Sequence, residues 1–195
     1  MAWMRRIVSV FIVPAFLLSL ASCAKDSSPT SSSTDAKQLI RDLNAFKNDN
    51  RTIRFKDMPI KVYVDGPSSW KDDVKKWEEW SGGAIRFEFV DSDPDVGIRL
   101  KNGIQQPLVC GVTYEPKWDN GEIRKADVEM DLTSYTPLCK QTVAHETGHA
   151  LGILGHTKNG GLMDGDGGDG KMRDEVKEMM RILYSNPPNT SVDKL

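Results

Sequence analysis

No stretch of this 195-residue sequence is basic enough to track a phosphate backbone. Its 26 lysines and arginines are offset by 28 aspartates and glutamates, for a net charge of -2, so nucleic acid is excluded as a partner class. No apolar run reaches the roughly 20 residues that a membrane-spanning helix needs; the longest, IVSVFIVPAFLLSL, holds 14 and contains Pro14. No internal repeat is visible. Cysteine and histidine are both scarce, at three residues each. The length fits one domain with a proper core and is too short for two ordinary ones plus a targeting segment.

What is present begins with Arg5 and Arg6 ahead of that apolar run, followed by small residues up to Ser22. This is the layout of a secretory signal over residues 1–22. The junction Leu20-Ala21-Ser22-Cys23 resembles the lipobox of bacterial lipoproteins. That resemblance implies an exported chain acylated at Cys23 and anchored to a bacterial membrane, on its periplasmic face or at the cell surface. AKDSSPTSSST is polar and free of large apolar groups, so residues 23–35 read as a flexible, lipid-anchored tether. With Cys23 assigned to lipid, Cys110 and Cys139 are left for each other, and an oxidising compartment favours a disulfide between them. Spacing alone leaves two separate thiols open.

Leu39, Leu43 and Phe46 recur at helical spacing behind Thr34 or Asp35, which predicts a helix over 36–48. Residues 36–52 form an N-terminal helical segment and a candidate pro-segment. Strand alternation follows in IKVYVD, IRFEFV and DVGIRL. Between the first two, Trp70, Val74, Trp77 and Trp80 make one helical stripe, after a serine cap and before Gly82 and Gly83. LVCGVTY and ADVEMDL read as two further strands joined across Asn120-Gly121. A helix opened by Thr136-Pro137 carries HETGH to Gly152, a last helix spans about 172–184, and residues 186–195 form a polar, disordered tail. The expected fold is mixed α/β (α+β), a twisted five-stranded mixed sheet with three main helices, over residues 53–185.

All three histidines lie within HETGHALGILGH, residues 145–156. His145 and His149 are four apart, so on a helix their rings share one face, close enough for a tetrahedral zinc. Glu146 beside them is a candidate general base, while zinc lowers the pKa of a water to about 7 and polarises a carbonyl. His156 is the candidate third ligand.

HETGHALG, with His156 followed by Thr157 and with Met163 seven residues further on in NGGLMDG, resembles the metzincins, and among them the matrixins. IKVYVD, RFEFV, DVGIRL, GEIRKADVEMDL and RILYSN extend the likeness over roughly 55–185. It implies a metzincin-like catalytic domain and a zinc endopeptidase acting on extracytoplasmic proteins or peptides. His145, His149 and His156 would be metal ligands, Glu146 the base and Met163 the Met-turn residue. LVCGVTY would be the edge along which an extended substrate lies. A monomer is expected.

The last histidine comes one residue late, because Ile153, Leu154 and Gly155 separate it from Gly152. A positive φ and a bulge at Gly155 are the expected remedy. Asp164, Asp166 and Asp169 lie in a glycine-rich run that suits Ca2+ as a second ion, although the EF-hand pattern is missing. Two alternatives stand beside the leading one. Glu175 could be the third ligand, as in gluzincins, or the chain could be a non-catalytic, partner-binding lipoprotein on the same fold.

Overall fold

The alternation in IKVYVD becomes β1, Ile60–Asp65, with Ile60 and Val62 turned into the core. The computed structural model describes residues 33–104, 109–131, 141–166 and 168–195. The expected signal, Cys23, the tether as far as residue 32, Cys139 and the Thr136-Pro137 helix start lie outside the described residues, while Ser33, Thr34 and Asp35, expected as the end of the tether, form the first turn of a helix. Among the described residues no helix is long and apolar enough to cross a membrane.

From β1 the chain enters α2, Ser69–Trp80 (α1 is Ser33–Leu43), and returns as β2, Phe87–Val90, parallel to β1. Trp70, Val74 and Trp77 are buried, and Trp80 packs edge-on against Trp77 with ring centroids 5.4 Å apart. The tryptophan stripe is therefore core. Ser68 makes no side-chain capping hydrogen bond at the start of α2, contrary to the expectation of a serine cap.

β3, Gly97–Asn102, lies on the other side of β1, and β6, Glu122–Met130, pairs parallel to β3. β4, Gly111–Thr113, and β5, Lys117–Asp119, both run antiparallel to β6 and share its remaining edge, one along each half. The mixed sheet therefore has six strands in the order β2-β1-β3-β6-β4, with β5 beside β6. This corrects the expected five. The segment taken as part of a turn contains β5, and Asn120-Gly121 joins β5 to β6 rather than β4 to β6. Both residues have positive φ, 47° and 74°, as a tight hairpin of this kind requires. Val96, expected on a strand, is 44% exposed just ahead of β3.

Two helices complete the described structure, α3, Thr142–Ala150, and α4, Asp174–Ser185, making four with α1 and α2 where three were expected. Val176, Met179, Met180 and Leu183 are buried from α4, as the sequence predicts. α1 packs against α4. It buries Ala36, Ile40 and Leu43, but ends before Phe46, which lies in a 3-10 turn and is 53% exposed. The candidate pro-segment is thus built into the core.

The expected disordered tail is also corrected. Thr52 N–H donates to Thr190 O at 2.9 Å, Asn189 N–H to Thr52 O at 2.8 Å, and Val192 N–H to Asn50 O at 3.0 Å. The Val192 side chain is fully buried, so residues 186–195 close over the segment after α1. A polar composition did not reveal this, because the pairing is made by main-chain groups.

Candidate metal centre

α3 owes its position to contacts on both sides. Trp77 Nε1 donates to Ala144 O at 2.8 Å, fixing α3 against α2. Tyr184 on α4 donates its hydroxyl to Leu151 O at 2.9 Å. A β-carbon built on Gly148 would lie 2.6 Å from Met163 Sδ and 2.7 Å from Trp77, so only glycine lets Met163 pack against the helix between the two histidines. Met163 itself is buried.

α3 stops at Gly152, whose φ is +105° and whose missing side chain makes room for Ile53 O, 2.7 Å from where a β-carbon would stand. The chain then turns back. Leu154 N–H donates to Leu43 O at 2.6 Å, and Ile153 is buried. Asn44 holds this turn from the end of α1. Its amide donates to Ile53 O at 2.6 Å and to Gly152 O at 2.7 Å, and its oxygen accepts from Ile53 N–H at 2.9 Å.

This turn brings the late histidine round. His149 Nε2 lies 3.1 Å from His145 Nε2 and 3.2 Å from His156 Nε2. One ligand atom from each of the three falls within 4.8 Å of the others. The positive φ expected at Gly155 is absent; Gly152 takes it instead. Gly155 contributes its size, since a β-carbon there would be 3.2 Å from Leu43 Cδ2.

Three imidazoles fit a tetrahedral zinc on chemical grounds. Nitrogens about 2.0–2.1 Å from such an ion are themselves about 3.3 Å apart, close to the two distances from His149, 3.1 Å and 3.2 Å. His145 Nδ1 is 2.6 Å from Leu162 O, and His149 Nδ1 is 2.5 Å from Ile153 O. A carbonyl can only accept, so each Nδ1 carries the proton and each Nε2 turns a lone pair inward.

Burial holds the His149 imidazole down to about 4 and lowers that of His156, so both favour the neutral form that binds metal. In the metal-free protein, the unfolded chain takes up a proton at His149 near pH 6.5, while the folded chain does so only near 4. Stability contributed at this site is complete above pH 6.5 and is lost as pH falls toward 4. Thermal melts of the metal-free protein should show a loss of roughly 1–3 kcal/mol across this window. An equal pH slope in His149→Ala would refute the assignment.

Glu146 is buried beside the histidines, and burial pushes its carboxyl up, opposed by Thr113 and His145. Thr113 Oγ1 is 2.7 Å from Glu146 Oε2. Glu146 lines a cavity of about 520 Å3 together with His145, His156, Gly111 and Leu162. A second cavity, about 260 Å3, is lined by Lys47, Thr113, Glu115, His149, Leu154 and His156. Another cavity of about 520 Å3, near the starts of β1 and β3, is lined by none of the histidines.

The remaining candidates are not brought into the cluster. Glu175 accepts from Asn159 Nδ2 at 2.7 Å, and the histidine group forms without it, so its expected alternative role as third ligand is set aside. Asp164 accepts from Gly160 N–H at 2.8 Å and Asp166 N–H at 2.9 Å, bonds that hold its carboxyl below the usual range. Asp169 accepts from Lys171 N–H at 2.9 Å and pairs with Arg173 at 3.1 Å. Among the described residues Asp164, Asp166 and Asp169 do not converge as a group of three carboxylates. Two of these carboxylates fold the loop instead. Cys110 lies on the rim of the larger cavity.

Thr113 and Asn44 escaped the sequence reading, because neither stands in the histidine motif. Asn44→Ala would leave the Ile53 N–H and two carbonyls without their partner. We expect a loss of about 2 kcal/mol or more together with weaker metal retention, read by thermal melting and zinc content; an unchanged protein would refute the role.

No protein-family model and no curated protein sequence matches the chain. Among solved structures, the crystal structure of myroilysin is similar at 24% identity, covering 57% of this chain and 51% of that one, with a TM-score of 0.31. The match thus spans about half the length of that protein, and a likeness this partial does not define a shared fold.

Proposed function

We propose that this chain is a zinc-dependent endopeptidase, metzincin-type and matrixin-like, acting on extracytoplasmic proteins or peptides. The observation that carries this reading is the convergence of three imidazole Nε2 atoms next to a buried glutamate at the junction of two cavities. His145, His149 and His156 would hold the ion. When bound, zinc supplies Lewis-acid polarisation of a carbonyl and lowers the pKa of a water to about 7. Glu146 accepts the proton of the attacking water and passes it to the leaving amine.

Two cavities share His156 as a lining residue, and together they offer more room than a single terminal residue needs. β4 is an edge strand, and an extended peptide adding to it would pass Thr113 and Glu146. Export and anchoring through Cys23 follow from the N-terminal layout, and a Cys110–Cys139 bridge would tie the rim of the cleft to the segment before α3. The test is cleavage of an unfolded protein by the purified chain. Activity abolished by a chelator and restored by zinc supports the proposal; cleavage indifferent to the chelator overturns the metal mechanism, and no cleavage with zinc supplied overturns it in favour of a binding protein.

A further inference from the structure

Thr113 reaches the proposed base twice. Its Oγ1 lies 2.7 Å from Glu146 Oε2 and 2.8 Å from the Glu146 main-chain oxygen, although 33 residues separate the two in sequence. We propose that Thr113 is the positioning residue of the base: its hydroxyl ties Oε2 of Glu146 to the edge strand, leaving Oε1 as the oxygen that takes a proton from water. This rests on the peptidase reading given above.

A glutamate side chain has three rotatable bonds, and a base acts only within hydrogen-bond reach of the proton it removes. Holding one carboxylate oxygen on a paired strand narrows that freedom. Thr113 is well placed for this, because its main chain pairs with Val128 in β6 and is not part of a loop. Close approach of β4 to α3 keeps the hydroxyl in range: a β-carbon on Gly111 would stand 2.8 Å from Thr142 Cγ2 and 3.0 Å from Glu146 Cγ.

The two acceptors give the hydroxyl a further property. Its single proton can go to a charged carboxylate at Oε2. Once Oε1 has taken the proton, Oε2 remains an acceptor, so the same hydrogen bond from the hydroxyl persists. Both states are then bonded with no side chain displaced.

The test compares Thr113→Val, which keeps the shape and removes the donor, with Thr113→Ser, which keeps the donor. In the zinc-loaded full chain, Thr113→Val should lower kcat about ten- to a hundredfold on an extended peptide. KM should change less than about twofold and zinc content not at all, and Thr113→Ser should recover kcat to within about threefold. A second readout needs neither metal nor turnover: crystal structures of the metal-free variants should show the Glu146 carboxylate displaced from β4 in Thr113→Val and retained in Thr113→Ser. Unmoved carboxylates, or equal losses of kcat in both variants, would overturn the proposal. If the wild type and Glu146→Gln are equally inactive, the peptidase reading fails instead, and the crystal structures still decide whether Thr113 positions Glu146.

Discussion

Glu146→Gln is expected to lower peptide hydrolysis by about 10²- to 10⁴-fold, the range in which a positioned acid–base group contributes, without loss of zinc or of the fold. The amide matches the carboxylate in shape, and its oxygen can still accept from Thr113 Oγ1 in place of Oε2. What it lacks is the ability to take a proton. The stability of the same variant adds a second, opposite-signed expectation. Burial raises the Glu146 carboxyl in the folded protein, so the folded state binds more protons than the unfolded state above the ordinary carboxyl pKa of 4.5. The charged form therefore costs stability at neutral pH, and the neutral amide removes that cost. The metal-free Glu146→Gln protein should melt at or above the wild-type temperature at pH 7. Turnover close to wild type, with zinc bound, would remove Glu146 from the mechanism.

His149→Ala is expected to abolish zinc binding. Its Nε2 is the shared neighbour of the other two, at 3.1 Å and 3.2 Å, so removing it leaves no adjacent pair within those distances. The affinity loss should exceed the ten- to hundredfold typical of changes to a ligand's outer partner. Zinc stoichiometry after gel filtration reads the loss directly. Thermal melting reads it independently, because an ion present at a thousand times its Kd stabilises the wild type by about 4 kcal/mol. The variant should show no such shift, whereas Glu175→Ala should keep both the stoichiometry and the shift. Zinc retained in His149→Ala and lost in Glu175→Ala would reverse the ligand assignment.

How far the sequence carried these expectations differs from residue to residue. The i, i+4 pair His145 and His149 and the tryptophan stripe of α2 follow from helical period alone, and IKVYVD alternates as its strand does. Two short-range signals point to the wrong partner or residue. Asn120-Gly121 is a hairpin turn as expected, but the partner of β6 across it is the three-residue β5, too short to show alternation. Gly155 was given the backbone task that Gly152 performs, because both are glycines near the same bend and only the fold decides which one needs positive φ. The aspartates from 164 to 169 have the composition of a cation loop, and Asp164 and Asp169 accept from N–H groups of that same loop.

By itself the sequence determined the helical placement of the HETGH histidines, the candidate base between them and most of the sheet, since these depend on periods of two and 3.6 residues and on a cluster only twelve residues long. Only the tertiary structure decided that His156 closes the triad, that Asn44 pins its turn from 108 residues away, that Thr113 holds Glu146, and that α1 packs into the core while Val192 anchors the last ten residues to it. Those contacts join segments far apart in the chain through single hydrogen bonds and main-chain pairs. Such partners impose no repeating pattern on the residues around them, so they become visible only once the chain has folded.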